Sequence, residues 1–372
     1  MKVAINLIPF SSWQGTEVFA KNIIIEFLQI AENMEIFILA PENLPDLLTF
    51  PNVKILRIKG LKYKYPKALY QQTFIYFLLK KYKVDLFFSP SPTAPLFYKN
   101  KIVVIHDCAY DRFKEFDNIF SKIYFKLMYY GAKYFSKKII TSSNFSKKEL
   151  TNLYKIKENK IKVIYGATPF LPEIGEEFIE ETLNKFKITK PYFIYVGNWR
   201  PRKNLPGLLN AFKLFIEKNK NFKLVLAGKK DKRFLDLEKI IKDMNLSNNV
   251  IITGFITEEE KSALYKGSTA LTFPSFYEGF GLPVLEAQSL GIPVLTSNTS
   301  SLPEVAGGSA LSVDPYNVKE IAKGMEKIAF DEDLRKDLIQ RGYKNIKRFS
   351  WSKAAKELLE VFKEVYENSS SK

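Results

Sequence analysis

Apolar runs of strand length alternate with amphipathic stretches of helical length along all 372 residues, a pattern that leaves little room for anything but a parallel α/β fold. Parallel neighbours need a long crossover between them, and a helix is the usual one. Strands are predicted at 2–8, 35–40, 53–58, 84–88, 101–105, 138–141 and 161–165, with helices joining most of them. A helix is expected at 16–30, and Ser146-Lys-Lys-Glu149 reads as a capping box opening another. Between Gly166 and Lys190 the rhythm breaks into Ala-Thr-Pro-Phe-Leu-Pro and a charged helical segment, then restarts at Tyr192. The second series places strands at 192–196, 222–227, 250–253, 270–273 and 293–296, and Thr257-Glu-Glu-Glu260 gives another capping box. Two doubly wound domains are therefore predicted, over 1–170 and 171–350, followed by a last helix at 352–366. Each domain is long enough for its own core.

Within the second domain one stretch looks like a site. Glu278-Gly-Phe-Gly-Leu-Pro-Val-Leu-Glu286 follows the apolar run 269–273, and Pro283 stands where a helix would begin. The reading is strand, glycine loop, helix, with Gly279 and Gly281 letting the backbone turn and approach a ligand, and helix N–H groups aimed at an anion. Glu286 is expected in the first helical turn, where the macrodipole favours a carboxylate. Glu278 has no such structural reason, and two carboxylates flanking a phosphate loop suit the hydroxyls of a sugar on either side of a diphosphate.

A second cluster follows the strand at 192–196. Gly197-Asn-Trp-Arg-Pro-Arg-Lys-Asn204 puts Arg200, Arg202 and Lys203 at the start of a helix predicted over 205–218, where cations oppose the macrodipole unless an anion sits among them. Both clusters lie at carboxyl ends of parallel strands, where open α/β sheets bind ligands. Gly228 and Phe255, at two further strand ends, offer backbone and apolar surface for a nucleotide base. In the first domain His106-Asp107 also follows a strand, and the carboxylate is placed to orient the ring. Gly15 precedes the first helix in a polar turn.

Composition narrows the function. With 57 Lys+Arg against 40 Asp+Glu the chain carries a formal charge of +17, which attracts nucleic acid, an anionic membrane surface or phosphorylated small molecules alike. No RNP, helix-turn-helix or zinc-finger signature supports nucleic acid, and carboxylates in the main loop would repel its backbone. No Gly-x-x-x-x-Gly-Lys-Ser/Thr loop and no Gly-x-Gly-x-x-Gly after the first strand argue against an ATPase or a dinucleotide oxidoreductase. One histidine, His106, and one cysteine, Cys108, leave no multi-histidine or cysteine-rich metal centre and no internal disulfide. Cys108 is expected to be a small buried hydrophobe in a reducing compartment. Asp331-Glu-Asp333 reads as a helix start rather than a metal motif. No apolar run approaches the roughly 20 residues that span a bilayer, and the first strand lacks signal-peptide flanks, so a cytoplasmic chain is expected.

These residues resemble glycosyltransferase family 4, the retaining nucleotide-sugar transferases of the GT-B fold, over nearly the whole chain. The resemblance is carried by Gly197 with Pro201-Arg-Lys-Asn204, by Thr253-Gly-Phe255, by Phe273-Pro-Ser with Tyr277 to Ala287, and by Gly291-Ile-Pro-Val294. Pro303-Glu-Val-Ala-Gly307 and Phe349-Ser-Trp351 fit as well, and Ile105-His-Asp107 resembles mannosyltransferase-like members. It implies two Rossmann-like domains facing a central cleft, with the last helix, in 351–372, crossing back to the first domain. It implies that Glu286 holds the donor ribose, that Glu278 lies against the transferred sugar, and that Phe280, Gly281 and Leu282 offer backbone N–H groups. Arg202 and Lys203 would neutralise the departing diphosphate, Gly15 would let its loop approach it, and His106 would contact sugar or acceptor. Two positions depart from the family pattern, Gln14 before Gly15 and Asn198 after Gly197.

The implied reaction moves a hexose from an NDP-sugar, GDP-mannose first, to a glycan or lipid-linked acceptor with no metal or other cofactor. A GT-B nucleotide-sugar epimerase and a basic nucleic-acid-binding protein are the alternatives. The segment 120–135 interleaves aromatic residues with Lys122, Lys126 and Lys133, which suits either an anionic membrane surface at the inner face or a core helix with lysines on its wet edge.

Overall fold

The computed structural model describes residues 1–10, 16–42, 44, 50–58, 67–113, 119–169, 171–228 and 236–370. They form two compact units, Met1–Gly166 with Ser350–Lys372, and Ala167–Phe349.

The first unit carries a wholly parallel sheet of strands β1 (Lys2–Asn6), β2 (Glu35–Pro41), β3 (Val53–Ile58), β4 (Leu86–Ser89), β5 (Lys101–Val104), β6 (Lys138–Thr141) and β7 (Ile161–Val163), in the order β3-β2-β1-β4-β5-β6-β7. Alternate side chains enter cores on opposite faces. Val3, Ile5, Ile36 and Ile38 join one, and Ala4, Phe37 and Leu39 join the other. Burial on both faces is why these strands read as continuous apolar runs rather than alternating ones.

The last helix, Trp351–Ser370, starts one residue earlier and runs four further than its pattern predicted. Its Ala354, Ala355, Leu358, Val361, Phe362 and Val365 lie on one stripe at helical spacing and belong to the first unit's core. Phe362 packs against Phe27 and Phe88, with ring centroids 4.9 and 5.3 Å away.

The second unit repeats the design with β8 (Tyr192–Val196), β9 (Lys223–Ala227), β10 (Val250–Gly254), β11 (Ala270–Phe273), β12 (Val294–Ser297) and β13 (Leu311–Val313), ordered β10-β9-β8-β11-β12-β13. In both sheets the strand order reverses beside the first strand, so the switch points lie between β1 and β4 and between β8 and β11. Strand β13 was not foreseen, because three residues are too few to show a period.

Two helix starts differ in instructive ways. Thr257 and Glu260 form the expected capping box. The helix Asn144–Tyr154 instead opens three residues before its predicted box, with Ser143 Oγ accepting from the Ser146 N–H. Ser146 and Glu149 are occupied elsewhere: the Ser146 hydroxyl donates to the His106 carbonyl at 2.8 Å, and Glu149 takes a fork of two bonds from Arg112 at 2.7 and 2.6 Å.

Candidate active site

At the second unit's switch point, the carboxyl ends of β8 and β11 bring together the two clusters the sequence singled out. Past β8 the chain makes a short 3-10 turn, Pro201–Lys203, then Asn204 in the left-handed conformation, then the helix Leu205–Ile216. Arg202 and Lys203 thus sit on the turn before the helix rather than in its first residues. Asn204 fixes that turn by donating to the carbonyls of Pro274 and Pro315 at 3.0 and 2.7 Å. The Phe276 N–H donates to the Arg202 carbonyl at 2.8 Å, tying the cation turn to the loop after β11.

That loop carries Glu278 into the cations. Lys203 Nζ lies 2.6 Å from Glu278 Oε1, and Arg202 Nη1 lies 3.2 Å from Oε2 and 3.1 Å from the Tyr277 carbonyl. Lys203 and Glu278 are both buried, and the Lys203 ammonium also stands 5.1 Å from the Phe273 ring centroid. Ser300 and Ser301 hold the loop from the next strand end. Ser300 Oγ accepts from the Glu278 N–H at 3.1 Å, and Ser301 Oγ reaches the carbonyls of Glu278 and Phe280, each at 2.8 Å. These serines act on backbone at a distance and carry no sequence signal beyond their nearness to the Pro303 motif.

Gly281 has φ +110°, a conformation that favours glycine, and an added Cβ would come within 2.7 Å of the end of the Leu302 side chain, which would have to shift. It caps the helix Leu282–Ser289, with Pro283 inside the first turn. The first N–H groups of such a helix lack intrahelical acceptors, which favours an anion there. The Phe280 side chain turns into the unit, its ring meeting Phe349 edge-on at 5.8 Å, so only its backbone is placed for a ligand.

Glu286 is not in the first turn as expected. It is the fifth residue of the helix, beyond the reach of the terminal N–H groups, and a neighbouring helix, Glu258–Lys266, holds it. Lys261 Nζ lies 3.1 Å from Oε1, and Tyr265 Oη donates to Oε2 at 3.1 Å. Burial works to lower the Lys261 pKa, and the Glu286 and Glu258 carboxylates outweigh it, leaving it raised. Burial, with Glu286 adding to it, keeps Tyr265 protonated far above neutrality.

The remaining second-unit candidates form a tier of bare backbone. Gly197, Gly228 and Gly254 end β8, β9 and β10, with the Gly197 N–H donating to the Ala227 carbonyl and the Gly228 N–H to the Gly254 carbonyl, both at 2.9 Å. Gly228, at φ +140°, could not take a Cβ, which would fall 2.1 Å from the Gly197 carbonyl oxygen. Phe255 follows with 66% of its surface exposed.

In the first unit His106 follows β5. Its Nε2 is closed off from solvent and has no partner among the described residues, while the ring makes a backbone hydrogen bond with Pro90 and meets Phe19 edge-on at 5.1 Å. Burial holds its pKa below the usual value, against the pull of Asp107. Asp107 does not orient the ring by hydrogen bonding. Its Oδ1 accepts from the Ala109 N–H at 3.0 Å, because the chain turns at once into a short helix. Cys108 is buried, which pushes its thiol pKa up. Gly15 lies outside the described residues. Asp331 caps the helix Glu332–Ile346 through the Leu334 N–H. Among the described residues no cluster of three His, Cys, Asp or Glu groups could hold a metal ion, and no helix is long and apolar enough to cross a membrane.

The profile described as "Glycosyl transferases group 1" matches residues 178–345, and that described as "Glycosyltransferase Family 4" matches residues 13–168. The chain is 28% identical over 289 residues to the O-antigen chain mannosyltransferase B of Escherichia coli, covering 77% of this chain and 76% of that one. It is 32% identical over 208 residues to the serotype-specific mannosyltransferase WbdA of Escherichia coli, covering 53% of this chain but only 26% of that longer protein. Its fold is shared with Anabaena Alr3699/HepE, solved in complex with UDP and glucose, at a TM-score of 0.74 and 15% identity over 98% of this chain and all of that one.

Proposed function

The chain belongs to the group 1 glycosyl transferases of the GT-B fold, and from that premise we propose that it moves a hexose, mannose first, from an NDP-sugar to a hydroxyl of a glycan or lipid-linked acceptor with retention at the anomeric carbon. The observation that carries this reading is the convergence of Lys203 and Arg202 on Glu278 beside the helix start at Gly281. As the glycosidic bond to phosphate breaks, negative charge gathers on the leaving diphosphate. Two fixed cations and the helix N–H groups stabilise that charge more in the transition state than in the ground state, with no metal required. A diphosphate would share the cations with Glu278, releasing that carboxylate toward the sugar hydroxyls.

Glu286 is the proposed ribose acceptor, held ready by Lys261 and Tyr265. The bare backbone at Gly197 and Gly228 with exposed Phe255 suits a nucleotide base. His106, neutral near pH 7, would act as a hydrogen-bonding group toward sugar or acceptor. Gly15 would complete the donor contacts. GDP-mannose is the first donor to test, supported by the mannosyltransferase names of the relatives. A lipid-linked acceptor would place the reaction at the cytoplasmic face of a membrane.

Thermal-shift titration with UDP, GDP and ADP and their common sugars tests the reading. One nucleotide should raise the melting temperature of the wild type, and Glu286→Ala should abolish the rise. No shift with any nucleotide sinks it. Formation of an epimeric NDP-sugar without acceptor-dependent release of nucleotide would favour an epimerase instead.

A further inference from the structure

A pair of aromatic rings stands at the carboxyl edge of the second sheet, on the side of the switch point away from Phe255. Tyr316, in the loop after β13, is 70% exposed, and its ring stacks on the half-buried Phe276 of the loop after β11, with centroids 4.6 Å apart and planes inclined by 22°. A single exposed aromatic residue is ordinary. This pair is held in place by the cation turn. Asn204, next to Lys203, donates to the carbonyls of Pro274 and Pro315, one in each of the two loops. The Phe276 N–H donates to the Arg202 carbonyl, and Thr299 Oγ1 donates to the Phe276 carbonyl at 3.3 Å. The segment that presents Arg202 and Lys203 therefore also fixes the two rings, and rings already ordered lose little freedom when a ligand lies on them.

Topology and charge choose the occupant. In the order β10-β9-β8-β11-β12-β13, Gly228 and Phe255 lie on one side of the β8/β11 pair and Tyr316 on the other. Strands repeat at roughly 4.8 Å, so the ends of β10 and β13, five intervals apart, are separated by about 24 Å. A nucleotide with its base at Phe255 and its diphosphate between β8 and β11 carries its sugar toward the Tyr316 side. The groups that brace Tyr316 are carboxylates. Asp314 Oδ1 accepts from the Tyr316 N–H at 2.9 Å, and Glu320 Oε1 accepts from the Asp314 N–H at 3.0 Å. They disfavour a phosphate on these rings, and with it a single-stranded nucleic acid stacking its bases there. An uncharged hexopyranose meets both conditions, because one face of the ring offers C–H groups to an aromatic surface while its rim offers hydroxyls to carboxylates. We propose that Phe276 and Tyr316 form a platform for a hexopyranose ring of the acceptor, next to the transferred sugar at Glu278. That the ring belongs to an acceptor rests on the proposed transfer reaction, whereas its being a hexopyranose rests on the aromatic pair and the carboxylates around it.

Saturation-transfer NMR of the full chain with the methyl α-glycosides of mannose, glucose and galactose, with and without UDP, GDP and ADP, decides it. At least one glycoside should receive saturation on its ring C–H protons. That signal should fall at least about fivefold in Tyr316→Ala and return in Tyr316→Trp, which restores a flat ring. Tyr316 is exposed, so both variants should melt with the wild type and keep its thermal shift with nucleotide. Three results overturn the platform. One is a wild type that binds nucleotide and saturates no glycoside. Another is a glycoside signal that Tyr316→Ala leaves intact. The last is loss of nucleotide affinity in Tyr316→Ala, which would put the donor itself on these rings. A wild type with no nucleotide shift removes the transfer reaction and with it the acceptor, so the two readings fail separately.

Discussion

The ammonium of Lys203 and the carboxylate of Glu278 meet at 2.6 Å although 75 residues separate them in sequence, and only 10% and 6% of their side chains remain exposed. Arg202 stands on the other carboxylate oxygen at 3.2 Å. A buried carboxylate between two cations is an anion site with its own charge already in place.

Removing Lys203 leaves that carboxylate to Arg202 alone. Lys203→Met should cost about 3 kcal/mol of stability in urea unfolding, because a buried charge loses its nearest partner. Lys203→Met/Glu278→Leu should recover at least half of the loss. Strict additivity of the two single changes would show that the pair is not coupled.

Gly228 meets Gly197 backbone to backbone, so relief cannot come from a flexible side chain. Gly228→Ala should destabilise the second unit by about 2–4 kcal/mol, combining a forbidden backbone angle with a steric clash. Gly175, whose added Cβ would meet nothing within 4 Å, is the control, and Gly175→Ala should leave unfolding within about 0.5 kcal/mol of wild type. Equal effects at the two positions would contradict the geometry.

Burial holds His106 below its usual value of 6.5, so the unfolded chain binds a proton that the folded chain resists. Stability from this group is therefore full above pH 6.5 and is lost as pH falls from there toward the lowered folded value. His106→Phe should flatten the slope of unfolding free energy between about pH 5 and 7. An unchanged slope would mean the imidazole takes up its proton in the folded state as easily as in the unfolded one. Lys101 works in the same direction over a higher range. Burial and then Lys160 push it down to about 7 from 10.5, and its amine donates to the carbonyls of Pro95 and Leu96, contacts that a neutral amine also makes.

Much of the site was legible in short range. The strand at 270–273, the glycine turn and Pro283 at a helix start are all local events, and each occurs where the pattern puts it. The capping box at Thr257 is equally local. Ser146-Lys-Lys-Glu149 has the same spacing and failed, because Arg112 and the His106 carbonyl, 37 and 40 residues away, claim its side chains. Glu286 likewise reads as a helix-start carboxylate until Tyr265 and Lys261 are seen to hold it.

The helix at 119–135 shows where local pattern stops. Its apolar residues surround the axis, and a period of 3.6 cannot say which stripe a neighbour will cover. Hydrophobic period and turn chemistry act over a few residues, so the amino-acid order was enough for two parallel α/β units and for loops shaped to meet an anion. The partners of Glu278 and Glu286, and the face of that helix left to solvent, depend on groups up to 76 residues distant. Contacts of that reach exist only once the sheets have brought their strand ends together.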